Sequence, residues 1–260
     1  MSGHSKWATI KHRKGAADKA RGKLFAKLIR QVEVAAREGG GDLDANATLR
    51  TMYQKARDNS VPLDTIERAI KRGTGELEGV SYEQVAYEGY APGGVAMFVD
   101  ALTDNRNRTG AEIRSLFTRA GGSLASPGAV AWQFERKGVV VVPTASPDLD
   151  GETGETLDED ELMLAALDAG AEDITQEGDT WRVTAAVADT MAVREAITAA
   201  GIAVTSADLI YAPRNLIELT SVSEAKQVMA VLDALDDHDD VQGVYANFDI
   251  SDSLLDAITG

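Results

Sequence analysis

The segment Pro92-Gly93-Gly94-Val95-Ala96-Met97-Phe98-Val99 marks where this sequence changes from helical to strand-like patterns. Its Pro-Gly-Gly turn precedes five consecutive apolar residues, which is typical of a buried strand. A polar stretch follows, and then Ile113, Leu116 and Phe117 recur at the spacing of one helix face. This order of a strand and then a helix predicts an α+β fold for the central part of the chain.

The same order returns near the end of the chain. Residues 129–135 are predicted to form a strand after the helix that contains Phe117. The later set is a strand, a helix and a strand at residues 216–221, 223–235 and 241–248. Two such units that share one sheet make a split βαβ, ferredoxin-like arrangement. We therefore predict one α+β domain from residues 76–136 and 211–250.

Between these halves lies another complete set of elements. Its strands and helices are predicted near residues 139–142, 162–167, 173–176, 181–187, 193–200 and 202–211. Gly178 and Asp179 separate the two middle strands, as in a hairpin. The resulting βαββαβ order predicts a second ferredoxin-like α+β domain, residues 137–210, inserted in the first.

The first 75 residues have helical patterns instead. Apolar residues recur with helical spacing in 23–37, around Leu49–Ala56, and in Pro62–Gly73. Proline is well suited to a first helical turn, and Gly39, Gly40 and Gly41 are typical of a helix end. We predict a three-helix module, residues 1–75, that begins with a basic arm.

Charge is distributed very unevenly along the chain. The 260 residues include 26 Lys and Arg against 42 Asp and Glu, which gives a net charge of −16. Residues 1–75 hold 16 of the basic and 8 of the acidic residues, a local charge of +8, so residues 76–260 have a charge of −24. The two parts are therefore expected to attract partners of opposite charge.

Several classes of protein are excluded by composition and motifs. No apolar run is long enough to span a membrane, and the N-terminus lacks the apolar stretch of a signal peptide, so a cytoplasmic protein without a membrane partner is expected. We also expect a monomer. The chain has 0 Cys and only three His, and the usual nucleotide-binding, metalloprotease and hydrolase motifs are missing. We predict no enzyme activity, no cofactor and no metal site. Asp236–Asp240 is interpreted as an exposed turn.

The basic arm and the helices that follow it are the main candidate site. Clustered Lys and Arg neutralise phosphates and release condensed counterions, which predicts DNA or ribosomal RNA as the partner. The candidate nucleic-acid-binding residues are Lys6, Trp7, Lys11, His12, Arg13, Lys14, Lys19, Arg21, Lys23, Lys27, Arg30, Arg68, Lys71 and Arg72.

Each part of this site also has a structural explanation. The basic residues could form a solvated face, and Trp7 could anchor the arm to the protein's own core rather than stack on bases with His12. Lys71 and its basic neighbours in the third helix could simply interact with the helix dipole.

A second candidate site lies in the polar loop between the first strand of the α+β region and its helix. Asn105, Arg106 and Arg108 fall where such folds place binding groups, and the two arginines could bind phosphate or carboxylate. The alternative is a helix start capped by Asn107 or Thr109.

The sequence also resembles the YebC/PmpR family in blocks spread over almost the whole chain. These blocks are Gly3–Trp7, Ile10–Lys14, Pro62–Gly73, Tyr87–Gly94, Leu102–Thr109, Ala131–Gly138 and Asp240–Phe248. Any one block is weakly specific, but their joint occurrence in order is highly specific. Two departures are mild, since Ser2 and Thr9 replace residues that are often Ala and Asn and neither removes a charge.

The resemblance implies a cytoplasmic protein with a helical first domain and two α+β domains. It also implies a probable DNA-binding transcriptional regulator. The alternative that it implies is a ribosome-associated translation factor, which binds rRNA and relieves stalling at proline-rich sequences. A third hypothesis is that the acidic domains, within residues 76–260, form a sensor or protein-interaction module. Arg106, Arg108 and the Pro92–Gly94 turn would then line its pocket.

Overall fold

The computed structural model describes residues 17–147 and 153–259. The α-helices are α1 (Ala17–Gly39), α2 (Ala47–Asp58), α3 (Leu63–Gly73), α4 (Arg106–Arg119), α5 (Glu159–Leu167), α6 (Thr190–Ala199), α7 (Val222–Asp236) and α8 (Asp252–Thr259). The strands are β1 (Glu83–Tyr90), β2 (Ala96–Thr103), β3 (Ser123–Leu124), β4 (Phe134–Pro143), β5 (Ala145–Pro147), β6 (Thr153–Thr156), β7 (Ala171–Glu177), β8 (Thr180–Ala185), β9 (Ser206–Pro213), β10 (Ile217–Leu219), β11 (Val241–Ala246) and β12 (Phe248–Ile250). This content confirms the predicted α+β class with helices at its N-terminal end.

The chain divides into two compact units. The first unit joins three segments, residues 1–34, 79–135 and 211–260, and the second joins residues 35–78 and 136–210. Helix α1 thus contributes its residues up to Val34 to the first unit and its last turn to the second. The domain boundaries given by the sequence patterns stay a prediction.

The first unit is built on a four-stranded sheet with the order β11-β2-β1-β3. Strands β1 and β2 form an antiparallel hairpin, and β11 pairs with the other edge of β2. Helices α4 and α7 cover one face of the sheet, where Phe117 of α4 and Leu232 of α7 are fully buried in a single core. On the opposite face of β2, Phe98 packs against Phe134, so both faces of the strand are covered, which explains its nearly continuous burial.

Two strands predicted for this sheet are elsewhere, so this part of the prediction was wrong. Residues 131–133 form a 3₁₀ turn, and Phe134 begins β4, which belongs to the sheet of the second unit. Strand β10 pairs in parallel with β12 in a separate two-stranded sheet. The position beside β2 is taken by β1, an element that the apolar pattern did not indicate.

Buried Glu88 on β1 explains why the segment near residue 130 is not a strand. Its carboxylate accepts hydrogen bonds from the backbone N–H groups of Gly128 and Val130, both at 2.6 Å, and of Ala131 at 2.7 Å. Burial alone would raise the pKa of Glu88, but these three bonds outweigh it and lower the pKa. The backbone donors of this loop are therefore satisfied by one side chain instead of a neighbouring strand.

The second unit contains the βαββαβ order that the sequence predicts. Its sheet has the order β7-β8-β4-β9, with β8 antiparallel to both β7 and β4, which is the order of a ferredoxin-like sheet. Alternate residues of β8 are buried, as expected for a strand with one covered face. Leu162 of α5 and Ile197 of α6 are fully buried in the core beside this sheet.

Helix α2 is fixed within the second unit at both of its ends. Asn46 caps its start by accepting a hydrogen bond from the Leu49 N–H at 3.0 Å. Lys55 forms an ion pair with Asp208 of β9 at 2.5 Å, and Asp58 pairs with Arg194 of α6 at 3.0 Å. These contacts attach the helix to the elements of the ferredoxin-like sheet.

Candidate nucleic-acid interface

Three predicted nucleic-acid-binding residues of α1 contact a single turn of the first unit. Lys23, Lys27 and Arg30, here called the basic stripe, are spaced by four and three residues and so lie on one helix face. The turn is Asp236–Asp240, here called the acidic turn, which connects α7 to β11. The basic stripe is therefore not a fully solvated face. The interpretation of Asp236–Asp240 as an exposed turn is only partly correct, because the turn contacts the stripe.

The contacts of the basic stripe are specific. Lys27 Nζ donates to the carbonyl oxygen of Asp236 at 2.9 Å. Lys23 Nζ lies 3.0 Å from Asp239 Oδ1 and also donates to the carbonyl of Asp237. Arg30 Nη1 donates to the carbonyl of Asp239 at 3.1 Å. Each cation of the stripe thus binds at least one oxygen of the acidic turn.

The position of the acidic turn explains why it attracts cations. Asp236 is the last residue of α7, and Asp237 is its C-terminal cap. Carbonyl groups at a helix C-terminus carry the negative end of the helix dipole, and the carboxylates of the turn add full charges to it. Backbone and side chains of one short segment therefore present a row of negatively charged oxygens.

Asp240 is the buried end of this turn, with a side chain that is only 7% exposed. Its Oδ2 accepts hydrogen bonds from Arg108 Nη2 and from Thr109 Oγ1, both at 2.7 Å. Its Oδ1 lies 3.3 Å from Arg30 Nη1. Burial tends to raise the pKa of Asp240, but the bonds from Thr109 and Arg108 prevail and lower it. Asp240 is therefore held as a carboxylate.

The second candidate site meets the first at this carboxylate. Arg108 binds Asp240 and also Asp104, at 3.0 Å, whereas Arg106 lies 3.5 Å from Glu83 on β1. Asn105 has a structural task, because its side chain accepts a hydrogen bond from the Arg108 N–H at 3.1 Å and caps α4. The prediction that Asn107 or Thr109 is the cap was wrong.

His238 is fixed in one tautomer by its two partners. The backbone N–H of Asp240 donates to its Nδ1 at 3.1 Å, so Nδ1 is the acceptor and Nε2 carries the proton. Nε2 in turn faces Glu112 Oε2 at 2.8 Å. The histidine therefore connects the acidic turn to α4 and is engaged in holding the turn in place.

These groups surround an open cleft with a volume of about 570 Å³ in the first unit. Its cations are Lys23, Arg30 and Arg108, and acidic side chains outnumber them. The Arg30 guanidinium also lies over the ring of Tyr82, 5.0 Å from its centre. Of the arginines predicted to line a sensor pocket, Arg108 lines this cleft. Neither Arg106 nor the Pro92–Gly94 turn is among the described residues that line it.

Three further predicted cations belong to the second unit. In the second unit, Arg68 and Lys71 are exposed on α3, and Arg68 lies 3.5 Å from Asp64 one turn earlier. Arg72 is half-buried in the last turn of the same helix. These α3 cations therefore belong to the second unit, whereas the basic stripe belongs to the first.

Eight of the predicted nucleic-acid-binding residues belong to the basic arm and the start of α1. Lys6, Trp7, Lys11, His12, Arg13 and Lys14 lie outside the described residues. Lys19 and Arg21 lie in α1, but their side chains are also outside the described part of the chain. Their role in binding nucleic acid stays a prediction.

The sequence indicated the acidic turn only as an exposed turn, and its contacts with the basic stripe were not predicted. Five consecutive polar residues that include four aspartates are a clear signal of strong charge. What the pattern does not contain is their partner, because more than 200 residues separate Lys23 from Asp237.

In the described ranges, no group of His, Asp and Glu is arranged to hold a metal ion. Within those ranges no helix has the length and apolar character to cross a membrane.

Comparison with known proteins gives the family. A model of the TACO1/YebC protein N-terminal domain matches residues 5–76, and a model of the TACO1/YebC second and third domain matches residues 82–248. The chain belongs to the TACO1/YebC family. This confirms the resemblance inferred from the sequence blocks.

Relatives in the TACO1/YebC family are similar over their whole length. A protein of Halothermothrix orenii is 51% identical over 100% of this chain and 99% of its own, and one of Rubrobacter xylanophilus is 52% identical over 100% of both. Both are named "probable transcriptional regulatory protein". The crystal structure of a conserved hypothetical protein from Aquifex aeolicus has a TM-score of 0.78 and 41% identity, covering 90% of this chain and 93% of that one.

Proposed function

We propose that this protein is a non-enzymatic, cytoplasmic regulator of gene expression that binds duplex DNA through its basic arm and the N-terminal part of α1. The observation that carries the proposal is the +8 charge of residues 1–75 beside the −24 charge of the remainder. Such a distribution orients the molecule, because an anionic polymer is attracted to one part of the chain and repelled by the rest.

The contacts of α1 support the proposal. Lys23, Lys27 and Arg30 bind a row of carbonyl and carboxylate oxygens along one helix face. A phosphate backbone offers the same kind of acceptor, a series of negatively charged oxygens at regular spacing. The names of the relatives from Halothermothrix orenii and Rubrobacter xylanophilus point in the same direction.

Salt-dependent binding tests this function. Fluorescence anisotropy with labelled duplex DNA, between about 50 and 200 mM salt, should give a log–log slope of about −0.9 for each phosphate neutralised. Lys11→Gln with Lys14→Gln should weaken binding and reduce the slope by about 2. The matched control, Arg119→Gln with Lys226→Gln, removes two exposed cations from α4 and α7 and should change little. Binding that is insensitive to salt would overturn the proposal.

The same assay with a ribosomal RNA fragment distinguishes the alternative function. Tighter binding to the RNA, together with sedimentation of the protein in ribosomal fractions of a sucrose gradient, would identify a ribosome-associated translation factor. Tighter binding to duplex DNA and absence from those fractions would support the transcriptional role.

A further inference from the structure

The basic stripe and the acidic turn have a relationship that the proposed function does not require. Cations offered to a phosphate backbone would ordinarily be left in solvent. Here all three bind oxygens of the protein itself, with Lys23 close to Asp237 and Asp239 and with Lys27 on the carbonyl of Asp236. A cation that is already paired gains less from a phosphate than a free one does.

We propose that the acidic turn covers a phosphate-binding surface formed by the basic stripe, and that a nucleic-acid backbone displaces the turn when it binds. This inference rests on the proposed function and adds a regulatory contact to it. The turn acts as an internal substitute for phosphate, since it presents both carbonyl and carboxylate oxygens to the same three side chains.

The two ends of the turn differ in a way that suits such an exchange. The side chains of Asp237 and Asp239 are 92% and 71% exposed, so water can replace their contacts at little cost. Asp240 is buried and keeps Arg108 and Thr109 as partners if Arg30 leaves it. The exposed part of the turn can therefore release the stripe while Asp240 retains its other contacts.

Charge makes the displacement favourable for a polymer but not for a small anion. The stripe exchanges a few aspartate and carbonyl oxygens for phosphates that belong to a continuous, strongly charged backbone. The basic arm brings that backbone to the start of α1, which raises its effective concentration at the stripe. Inorganic phosphate has neither advantage, and we expect it to leave the turn in place.

Neutralising the exposed aspartates tests the proposal directly. Asp237→Asn with Asp239→Asn should bind duplex DNA about three- to tenfold more tightly than the wild type at the same salt concentration. The matched control is Glu218→Gln with Glu224→Gln, which removes the same charge from exposed positions of the same unit. Its effect should stay below about twofold, because only the long-range field changes.

A second pair of measurements locates the effect. In the Asp237→Asn, Asp239→Asn background, Lys27→Gln should weaken DNA binding, because the released stripe then contacts phosphates. Hydrogen–deuterium exchange of the wild type should become faster at residues 237–240 when duplex DNA is added, and inorganic phosphate should not cause this change.

The outcomes separate the two proposals. If no variant binds DNA or RNA at low salt, the proposed function is wrong, and so is the proposal that the acidic turn covers the basic stripe. If the wild type binds and the aspartate pair changes affinity no more than the control pair, the function stands, but the proposal that the acidic turn covers the basic stripe is overturned. Unchanged exchange at the acidic turn on DNA binding would overturn it as well.

Discussion

Arg108 and Asp240 are 132 residues apart in the sequence, and their side chains meet at 2.7 Å in the first unit. The contact joins the start of α4 to the end of the acidic turn. Thr109 adds a second hydrogen bond to the same carboxylate oxygen, and Thr109 in turn lies 2.7 Å from Thr103 at the end of β2. A strand, a helix and a turn are therefore connected through one buried aspartate.

Removing the charge of Asp240 should destabilise the protein. Asp240→Asn leaves Arg108 without its strongest partner and replaces one acceptor oxygen with a donor, so the free energy of unfolding should fall by about 1–3 kcal/mol. Asp237→Asn, at the exposed position of the same turn, should change it by less than about 0.5 kcal/mol. Urea unfolding followed by circular dichroism measures both. Equal effects for the two variants would contradict the role of Asp240.

The aspartates of the acidic turn should keep their charge, and with it their part of the contact with α1, until the pH falls into the acid range. The hydrogen bond from Lys23 lowers the pKa of Asp239, and the bonds to Asp240 lower its pKa despite burial. Carboxylates with lowered pKa values stabilise the folded state above their unfolded pKa of about 3.8, and this contribution is lost as the pH falls through the folded pKa.

The measurement is a carboxyl ¹³C NMR titration of the two aspartates together with the protection factors of α1 amides, which are corrected for the pH dependence of intrinsic exchange. Both should stay constant from about pH 8 to about pH 5 and change below about pH 4. A midpoint near neutral pH would show that another group controls the contact.

Glu88→Gln should loosen the loop at residues 128–131. Glutamine offers one acceptor oxygen, and its NH₂ group would face backbone donors that now bind the carboxylate. The expected loss is about 1–3 kcal/mol, with faster hydrogen–deuterium exchange at Val130 and Ala131. Glu83→Gln, at an exposed position of the same strand, is the control and should leave that exchange unchanged.

Two glycine substitutions should have opposite effects. A Cβ atom at Gly138 would lie 1.8 Å from Thr190 Oγ1, so Gly138→Ala should destabilise the protein by about 1–3 kcal/mol. Gly22, in α1, has open space around it, and Gly22→Ala should add up to about 1 kcal/mol through helix propensity. Thermal unfolding measures both. If Thr190→Ala fails to recover part of the Gly138→Ala loss, the steric explanation is wrong.

Local patterns predicted the βαββαβ elements of the second unit because each element has its own signal. The buried alternation of Trp181 and Val183 on β8 and the turn at Gly178 are visible in a few neighbouring residues. The order of elements then fixes the arrangement, since few topologies connect a βαββαβ sequence without crossing. No long-range information was needed.

The first unit was predicted less well because its arrangement depends on distant pairs. The hydrogen bonds of Glu88 to residues about 40 positions later decide that 128–131 is a loop. In the same way, the sequence indicates a basic face on α1 and an acidic turn after α7, but not that they meet. The periodicity of a sequence identifies one face of a helix, but it does not predict which segment contacts that face.

The three-segment construction of the first unit also has a consequence for how the protein is made. Strand β2 receives its second neighbour only when β11 has left the ribosome, whereas every residue of the second unit has been synthesised by Ile210. Because domains tend to fold as units during synthesis, the second unit can fold while the first still awaits its C-terminal third. Until that segment emerges, the acidic turn does not exist, and Lys23, Lys27 and Arg30 of the nascent chain have no internal counter-ions from it.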